Sequence, residues 1–221
     1  MSKRKTAGIP YTVWFVNDAL PDEFYQWNIF DVQRFLTKRG CFLKDYKMPN
    51  GKLFSKWLEK ECYTRNINPK LILASLQKEK SLISKKKEPS ERVMDRALGF
   101  GMTDSGDIKK YYGFEKQLLA ALEWFEKKWE KYEDKYPPPK ITVDDGLLSI
   151  QPVNAMTYLM YLYTPWTGGP DSVFYPKWKS HGVYLLWRVW KMYWKEDLSR
   201  YEHAPLYELI DKVEKSSWKW W

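Results

Sequence analysis

Apolar residues recur at three- and four-residue steps in segment after segment of this chain, and most of these segments are bounded by residues that start or stop a helix. That period places apolar side chains on one stripe of an α-helix and does not fit the two-residue period of a strand. Asn28, with Asp31 three residues on, opens a run in which Ile29, Val32, Phe35 and Leu36 share a face, and Gly40 is placed to stop it. Lys52 to Tyr63 repeats the pattern with Leu53, Trp57, Leu58 and Cys62. Asn68-Pro69 is the clearest start, because Asn is a favoured N-cap and Pro is preorganised for the first turn. That helix is expected to run to about Ser84. Lys85 to Ser90 reads as a charged break, with Ser90 capping a short helix through Leu98. Gly99 to Asp107 carries three Gly, two Asp and a Ser, the composition of a loop. Phe114 to Glu133 is a long amphipathic helix with Phe114, Leu118, Ala121, Leu122, Phe125 and Trp129 on its stripe, ended by Pro137-Pro138-Pro139.

Only Ile141 to Ile150 alternates, around Asp144-Asp145-Gly146, and predicts a small hairpin. Asn154 to Tyr163 is again helical, Thr164 to Pro170 is a loop, and two or three further helices fill residues 171–221. The expected fold class is therefore mainly α with one small β-hairpin. Residues 1–27 read as an irregular aromatic segment packed on a main domain over 28–201. Residues 202–221 read as a Lys/Trp-rich helical extension.

Composition excludes several classes. With 44% hydrophobic residues in 221, the chain can bury a core and is not wholly disordered. No apolar run reaches the roughly 18 residues of a transmembrane helix. Met1 to Pro10 is basic but lacks the apolar stretch of a secretory leader. A net charge of +9 and 18% aromatic residues suit nucleic acid, anionic membranes, or polyanionic and sugar polymers. No helix-turn-helix, zinc-finger or RNP signature is present, so nucleic acid is not the expected partner. His181 and His203 are far apart and no His-Glu-x-x-His exists, so no metal site is expected. Cys41 and Cys62 lack a persuasive His partner, and both a disulfide and free thiols stand open for them. Trp187, Trp190 and Trp194 form a helical stripe with Val183, the spacing of core packing, with sugar stacking as the alternative. Lys215 to Trp221 either docks on the domain or touches a wall or membrane.

One helix carries chemistry. At 100° per residue, Glu79 lies about 20° from Ile72, about 40° from Ile83 and about 60° from Leu76. A carboxylate thus sits on the apolar face, while Lys78 and Lys80 are expected to point to the sides. A buried carboxylate needs a partner or must hold its proton. In the second case it is a proton donor of the kind a glycosidase uses on a leaving sugar oxygen. In the first it is a core-edge Glu paired with a nearby Lys.

The run Asn68-Pro69-Lys70-Leu71-Ile72-Leu73-Ala74-Ser75-Leu76-Gln77-Lys78-Glu79 resembles the catalytic-helix signature of the lysozyme-like superfamily. It is most similar to lytic-transglycosylase-like wall hydrolases, in which the helix opens Asn-Pro and ends Leu-Gln-Lys-Glu. Further blocks follow in order: Phe30 to Leu36 resembles the upstream helix, Ala97 to Gly101 with Asp104 to Gly106 the glycine-rich loop, and Tyr112 to Leu118 the next helix start. Asn154 to Thr157 with Tyr161 to Pro165 resembles the late helix and its Tyr-Thr-Pro turn. Departures are Lys80, where relatives carry Gln or Ser, and Met102-Thr103, where many carry Cys-Pro.

The resemblance implies a lysozyme-like fold with a groove beside the C-terminal end of the catalytic helix. It makes Glu79 the general acid/base for cleavage between N-acetylmuramic acid and N-acetylglucosamine, by lytic transglycosylase or muramidase chemistry. Asp104 and Asp107 are its candidates for a second carboxylate, with Asx-turn roles as the alternative. Gly99 and Gly101 either let the backbone approach the sugar or simply permit the turn. One of Tyr161 and Tyr163, with Tyr163 preferred, is expected to bond Glu79 or the N-acetyl group, against plain core packing. Ser75 and Gln77 are weaker sugar-contact candidates. No cofactor is implied. The expected partners are peptidoglycan strands and anionic wall polymers, met by a monomer at the bacterial wall. A phage or prophage lysin, or a chain starting after its leader, suits the missing leader. The competing class is a non-catalytic wall-binding or virion module with the same fold.

Overall fold

The computed structural model describes residues 30–194, apart from 104, 133, 136, 153–154 and 169–180. The described residues contain seven α-helices and one two-stranded antiparallel sheet. The chain is mainly α with a small β-hairpin, as the periodicity predicts. The residues sort into two compact units that part after Glu130. The expected segment over 1–27, the extension over 202–221, Asn28 and His203 lie outside the described residues.

In the first unit, α1 (Val32–Arg39) is capped by Asp31, whose carboxylate accepts from the Arg34 amide at 2.8 Å. Gly40 stops the helix in the left-handed conformation, φ 58°. Lys86 reaches back from the charged break and donates to the exposed carbonyl of Arg39 at 2.5 Å, a cation at a helix C-terminus. α2 (Phe54–Thr64) buries Phe54, Trp57, Leu58 and Cys62. A polar clasp joins it to α1: the Val32 amide donates to Glu59, and Ser55 Oγ donates to Gln33.

α3 (Pro69–Lys80) has the predicted start. Asn68 is buried and its side chain accepts from the Lys70 amide at 3.0 Å. Leu71 through Leu76 are all buried, so this helix is covered on every side along its middle. It ends at Lys80 and not at Ser84. Ser81 takes a left-handed conformation (φ 54°), and its amide returns to the carbonyls of Leu76 and Gln77. Leu82–Ser84 then form a short 3-10 turn that buries Leu82 and Ile83. α4 is only Glu91–Met94, shorter than the helix expected through Leu98, and Ser90 makes no side-chain capping bond. α5 (Phe114–Tyr132) buries Phe114, Leu118, Ala121, Leu122 and Phe125 of its predicted stripe and leaves Trp129 half-buried, and Phe114 meets Tyr46 edge-on and Phe54 at a tilt.

In the second unit, β1 (Ile141–Val143) pairs with β2 (Leu148–Ile150) in the register Ile141↔Ile150. Asp144, Asp145 and Gly146 all have positive φ in the turn. Asp144 is fully buried, and its carboxylate accepts from the Thr167 amide at 2.8 Å and hydroxyl at 2.6 Å. The turn is thereby fastened to the segment that follows α6 (Ala155–Tyr163). α7 (Gly182–Tyr193) buries Val183, Trp187 and Trp190, with Trp194 buried just beyond. The Trp stripe is core packing. Cys41 and Cys62 are free, buried thiols; desolvation pushes both up, Cys62 well above the usual thiol range, and Cys41 Sγ donates to the Leu82 carbonyl. No helix among the described residues is long and apolar enough to cross a membrane.

The Asn68 cap fixes where α3 begins, so its loss is expected to be felt globally. Asn68→Ala should lower unfolding free energy by about 1 kcal/mol, read by urea denaturation with the slope unchanged.

Candidate functional site

Glu79 lies in the last turn of α3, where the buried helix comes to the surface. Its side chain is 23% exposed, so the carboxylate is neither sealed in the core nor free in solvent. The expectation that Lys78 points to the side is corrected here. Its ammonium folds onto Glu79 Oε1 at 2.5 Å, and the Lys78 side chain is only 10% exposed. A half-buried carboxylate needs a compensating charge, and the adjacent Lys supplies it.

The other carboxylate oxygen faces the glycine-rich loop. Gly99 has φ 68°, and a β-carbon placed on it would lie 3.3 Å from Glu79 Oε2. The sequence separates these residues by a break, a short helix and a turn, and the fold brings them together. Gly101 has a different reason to be glycine. Its φ is 73°, and a β-carbon there would lie 2.5 Å from the ring of Tyr111. Its carbonyl accepts from the Ile108 amide at 2.9 Å. Gly101 therefore closes the loop on itself, while Gly99 is the residue laid against the carboxylate.

Gln117, in the first turn of α5, holds the glycine-rich loop and is a residue that sequence reasoning does not single out. It is fully buried. Its Oε1 accepts from the amides of Leu98 (3.3 Å) and Phe100 (3.0 Å). Its Nε2 donates to the carbonyls of Phe100 (2.9 Å) and Tyr111 (2.8 Å). One signal was available: a polar residue at a position flanked by Leu118 and one turn before Ala121 lies on the buried side of a helix and needs partners.

Asp107 is committed elsewhere. Arg96 Nε donates to its Oδ2 at 2.7 Å, and the Tyr112 hydroxyl donates to the same oxygen at 2.7 Å. Arg96 Nη2 also donates to the Tyr112 oxygen, and the guanidinium lies 4.8 Å from the Tyr112 ring centre. The Tyr112 and Arg96 bonds hold the Asp107 carboxyl below the usual carboxylate range. The same bond to Asp107 raises Tyr112 and Arg96. Asp107 thus braces the loop.

Asp104 lies outside the described residues. Gln77 is clasped to the turn after α3, accepting from the Ser84 amide at 3.1 Å and donating to its hydroxyl at 3.3 Å. Ser75 is buried within α3. Tyr161 is fully buried and Tyr163 half-buried in α6; both belong to the unit that does not carry Glu79.

Two outcomes test this geometry. Gly99→Ala must place a side chain in a left-handed conformation against the carboxylate, and is expected to cost about 1 kcal/mol in urea unfolding. Asp107 has a lowered pKa in the fold, so its contribution is complete above the ordinary Asp range and is lost as pH falls through the lowered value. Asp107→Asn should therefore lower the melting temperature near neutral pH, and the gap to the wild type should close under strongly acidic conditions.

No curated protein and no solved structure matches the chain. A family model described as the LasA, N-terminal domain matches residues 21–165, more than half of the sequence, and includes Glu79, the glycine-rich loop and Gln117. The chain belongs to the LasA N-terminal domain family.

Proposed function

We propose that this protein cleaves peptidoglycan glycan strands at the bacterial cell wall, between N-acetylmuramic acid and N-acetylglucosamine, with Glu79 as the general acid/base. The observation that carries the reading is the placement of Glu79. Its carboxylate is partly exposed at the emerging end of a buried helix, with the backbone of Gly99 laid against one oxygen. A glycosidic oxygen can be approached there by a proton donor that the core holds rigidly.

The chemistry then needs few parts. Protonated Glu79 gives its proton to the glycosidic oxygen, the C1–O bond of the muramoyl unit breaks, and oxocarbenium character develops at C1. The carboxylate left behind takes the proton of the muramoyl C6 hydroxyl, O6 closes onto C1, and a 1,6-anhydro end forms with Glu79 reprotonated. This route needs one carboxylate. Hydrolysis needs a water held by a second one, and Asp107 is occupied by Arg96 and Tyr112. That commitment takes Asp107 out of the hydrolytic role and leaves Asp104, outside the described residues, as the other candidate. The basic excess of +9 suits attraction to anionic wall polymers, which weakens with salt.

One observation favours a second reading. Lys78 neutralises Glu79 at 2.5 Å, and an ion-paired carboxylate suits a module that binds wall without cutting it. Purified sacculi separate the two. Glu79→Gln should keep its fold by circular dichroism and lose muropeptide release by about 100- to 10,000-fold, and the wild-type products should carry anhydro ends by mass spectrometry. Undiminished release by Glu79→Gln refutes the acid assignment. Retention on sacculi with no release by the wild type supports the binding module.

A further inference from the structure

Gln117 spends its whole hydrogen-bonding capacity on one loop. A primary amide offers two N–H donors and two acceptor lone pairs. Both donors go to carbonyls, of Phe100 and Tyr111, and both lone pairs are met by amides, of Leu98 and Phe100. The orientation is therefore unique. A flipped amide would set its NH2 against two N–H groups and its oxygen against two carbonyls. Phe100 is gripped through both its N–H and its C=O, and Leu98 through its N–H. The residue between them is Gly99, the one whose missing β-carbon leaves 3.3 Å to Glu79 Oε2. Gln117 itself is fully buried and touches no candidate reacting group.

We propose that Gln117 is the positioning residue of this site: its amide clamps the residues on either side of Gly99, Leu98 through its N–H and Phe100 through its N–H and C=O, and thereby sets the Gly99 backbone against the Glu79 carboxylate. The proposal rests on the reading of Glu79 as acid/base. A helix side chain does this better than the loop could do for itself. The loop residues have positive φ at Gly99 and Gly101 and no regular ladder to hold them. Gln117 is anchored on α5, a rigid element. Asp107 braces the far end of the same loop through Arg96 and Tyr112, and Gly99 adds turn bonds of its own, its amide to the Arg96 carbonyl and its carbonyl from the Met102 amide, both at 3.1 Å.

Gln117→Glu separates positioning from simple support. The variant is isosteric, keeps an oxygen for the Leu98 and Phe100 amides, and replaces the NH2 by an oxygen facing two carbonyls. When ionised it repels both carbonyls; when protonated it donates again to one. Burial and the facing carbonyls favour the protonated form of the new side chain. Near neutral pH, release of muropeptides per folded molecule should fall about 100-fold, the effect of a small misplacement at a reacting centre. Half-saturating sacculus concentration should change little. Toward acidic pH the variant should recover relative to the wild type, whereas Gln117→Leu should not. A wild-type pH profile for Gln117→Glu overturns the proposal.

A second readout needs no activity. Glu79→Gln is expected to move the Gly99 amide resonance in the wild-type background and to leave it in place when Gln117→Glu is also present at neutral pH. Equal movement in both backgrounds overturns the clamp. If Glu79→Gln leaves digestion untouched, the acid assignment falls, and the amide comparison still decides Gln117.

Discussion

The burial of α3 governs this molecule. Six consecutive residues, Leu71 to Leu76, are removed from water, so no face of the helix is left for solvent along that stretch. Neither end can then be loose. At the start, the amides that a helix leaves unpaired must be met locally, and Asn68 and Pro69 do this by accepting one bond and by lacking a donor. At the other end the helix must leave the core, because the polar run Gln77-Lys78-Glu79-Lys80 cannot follow it inward. Glu79 is thus delivered to the boundary between core and solvent by a constraint set several residues upstream. A carboxylate one turn earlier would be sealed, and one beyond Ser81 would be on a turn of a different direction.

Holding a carboxylate at that boundary creates two demands, charge compensation and a defined neighbour. Lys78 answers the first from the same turn of helix, which needs no long-range folding. Gly99 answers the second, and this is long-range. Its loop must be brought 20 residues along the chain and kept still. The structure assigns that work to side chains on firmer ground: Gln117 from α5 at the near end, and the Arg96–Asp107–Tyr112 group at the far end. The glycine-rich loop thus owes its shape both to side chains outside the glycines and to turn bonds of the glycine backbone, such as the Gly101 carbonyl accepting from Ile108, which the glycines' conformational freedom permits.

Most of the fold was legible because it is written in local signals. Asn68-Pro69, Gly40, the stripe of α5, the Asp-Asp-Gly hairpin and the Trp stripe of α7 each depend on residues within one turn or one hairpin, and periodicity reads them directly. The failures have physical causes. The end of α3 was placed at Ser84 because no glycine marks Ser81, yet Ser81 takes the left-handed conformation there. The pattern of Leu82 and Ile83 then continues on a 3-10 turn that mimics helical spacing. The helix after Ser90 was read too long because Ala97 and Leu98 are buried without being helical. Helical-wheel geometry points Lys78 sideways, because it ignores that a long flexible side chain can return to its neighbour. Asp107 and Gln117 were invisible in their roles because both act through partners distant in sequence: Arg96 for one, the backbone of Leu98, Phe100 and Tyr111 for the other.

The same distinction bears on how such a site can change without losing its fold. Removing the charge on residue 79 takes from the largely buried Lys78 the carboxylate it folds onto, so the cost falls on one turn of helix at the edge of the core. Removing the loop's fastenings is different, because Leu98 is buried beside a fully buried Gln117 and its amide has no solvent to turn to. The chemistry of the carboxylate and the stability of the loop are therefore separable on one side and joined on the other. On the proposed reading, substitutions at Glu79 report on reaction, and those at Gln117 report on reaction and architecture together. Only a variant that keeps the shape of the amide and changes its donors can divide the two, since it leaves packing volume constant and alters the electrostatics of four backbone bonds.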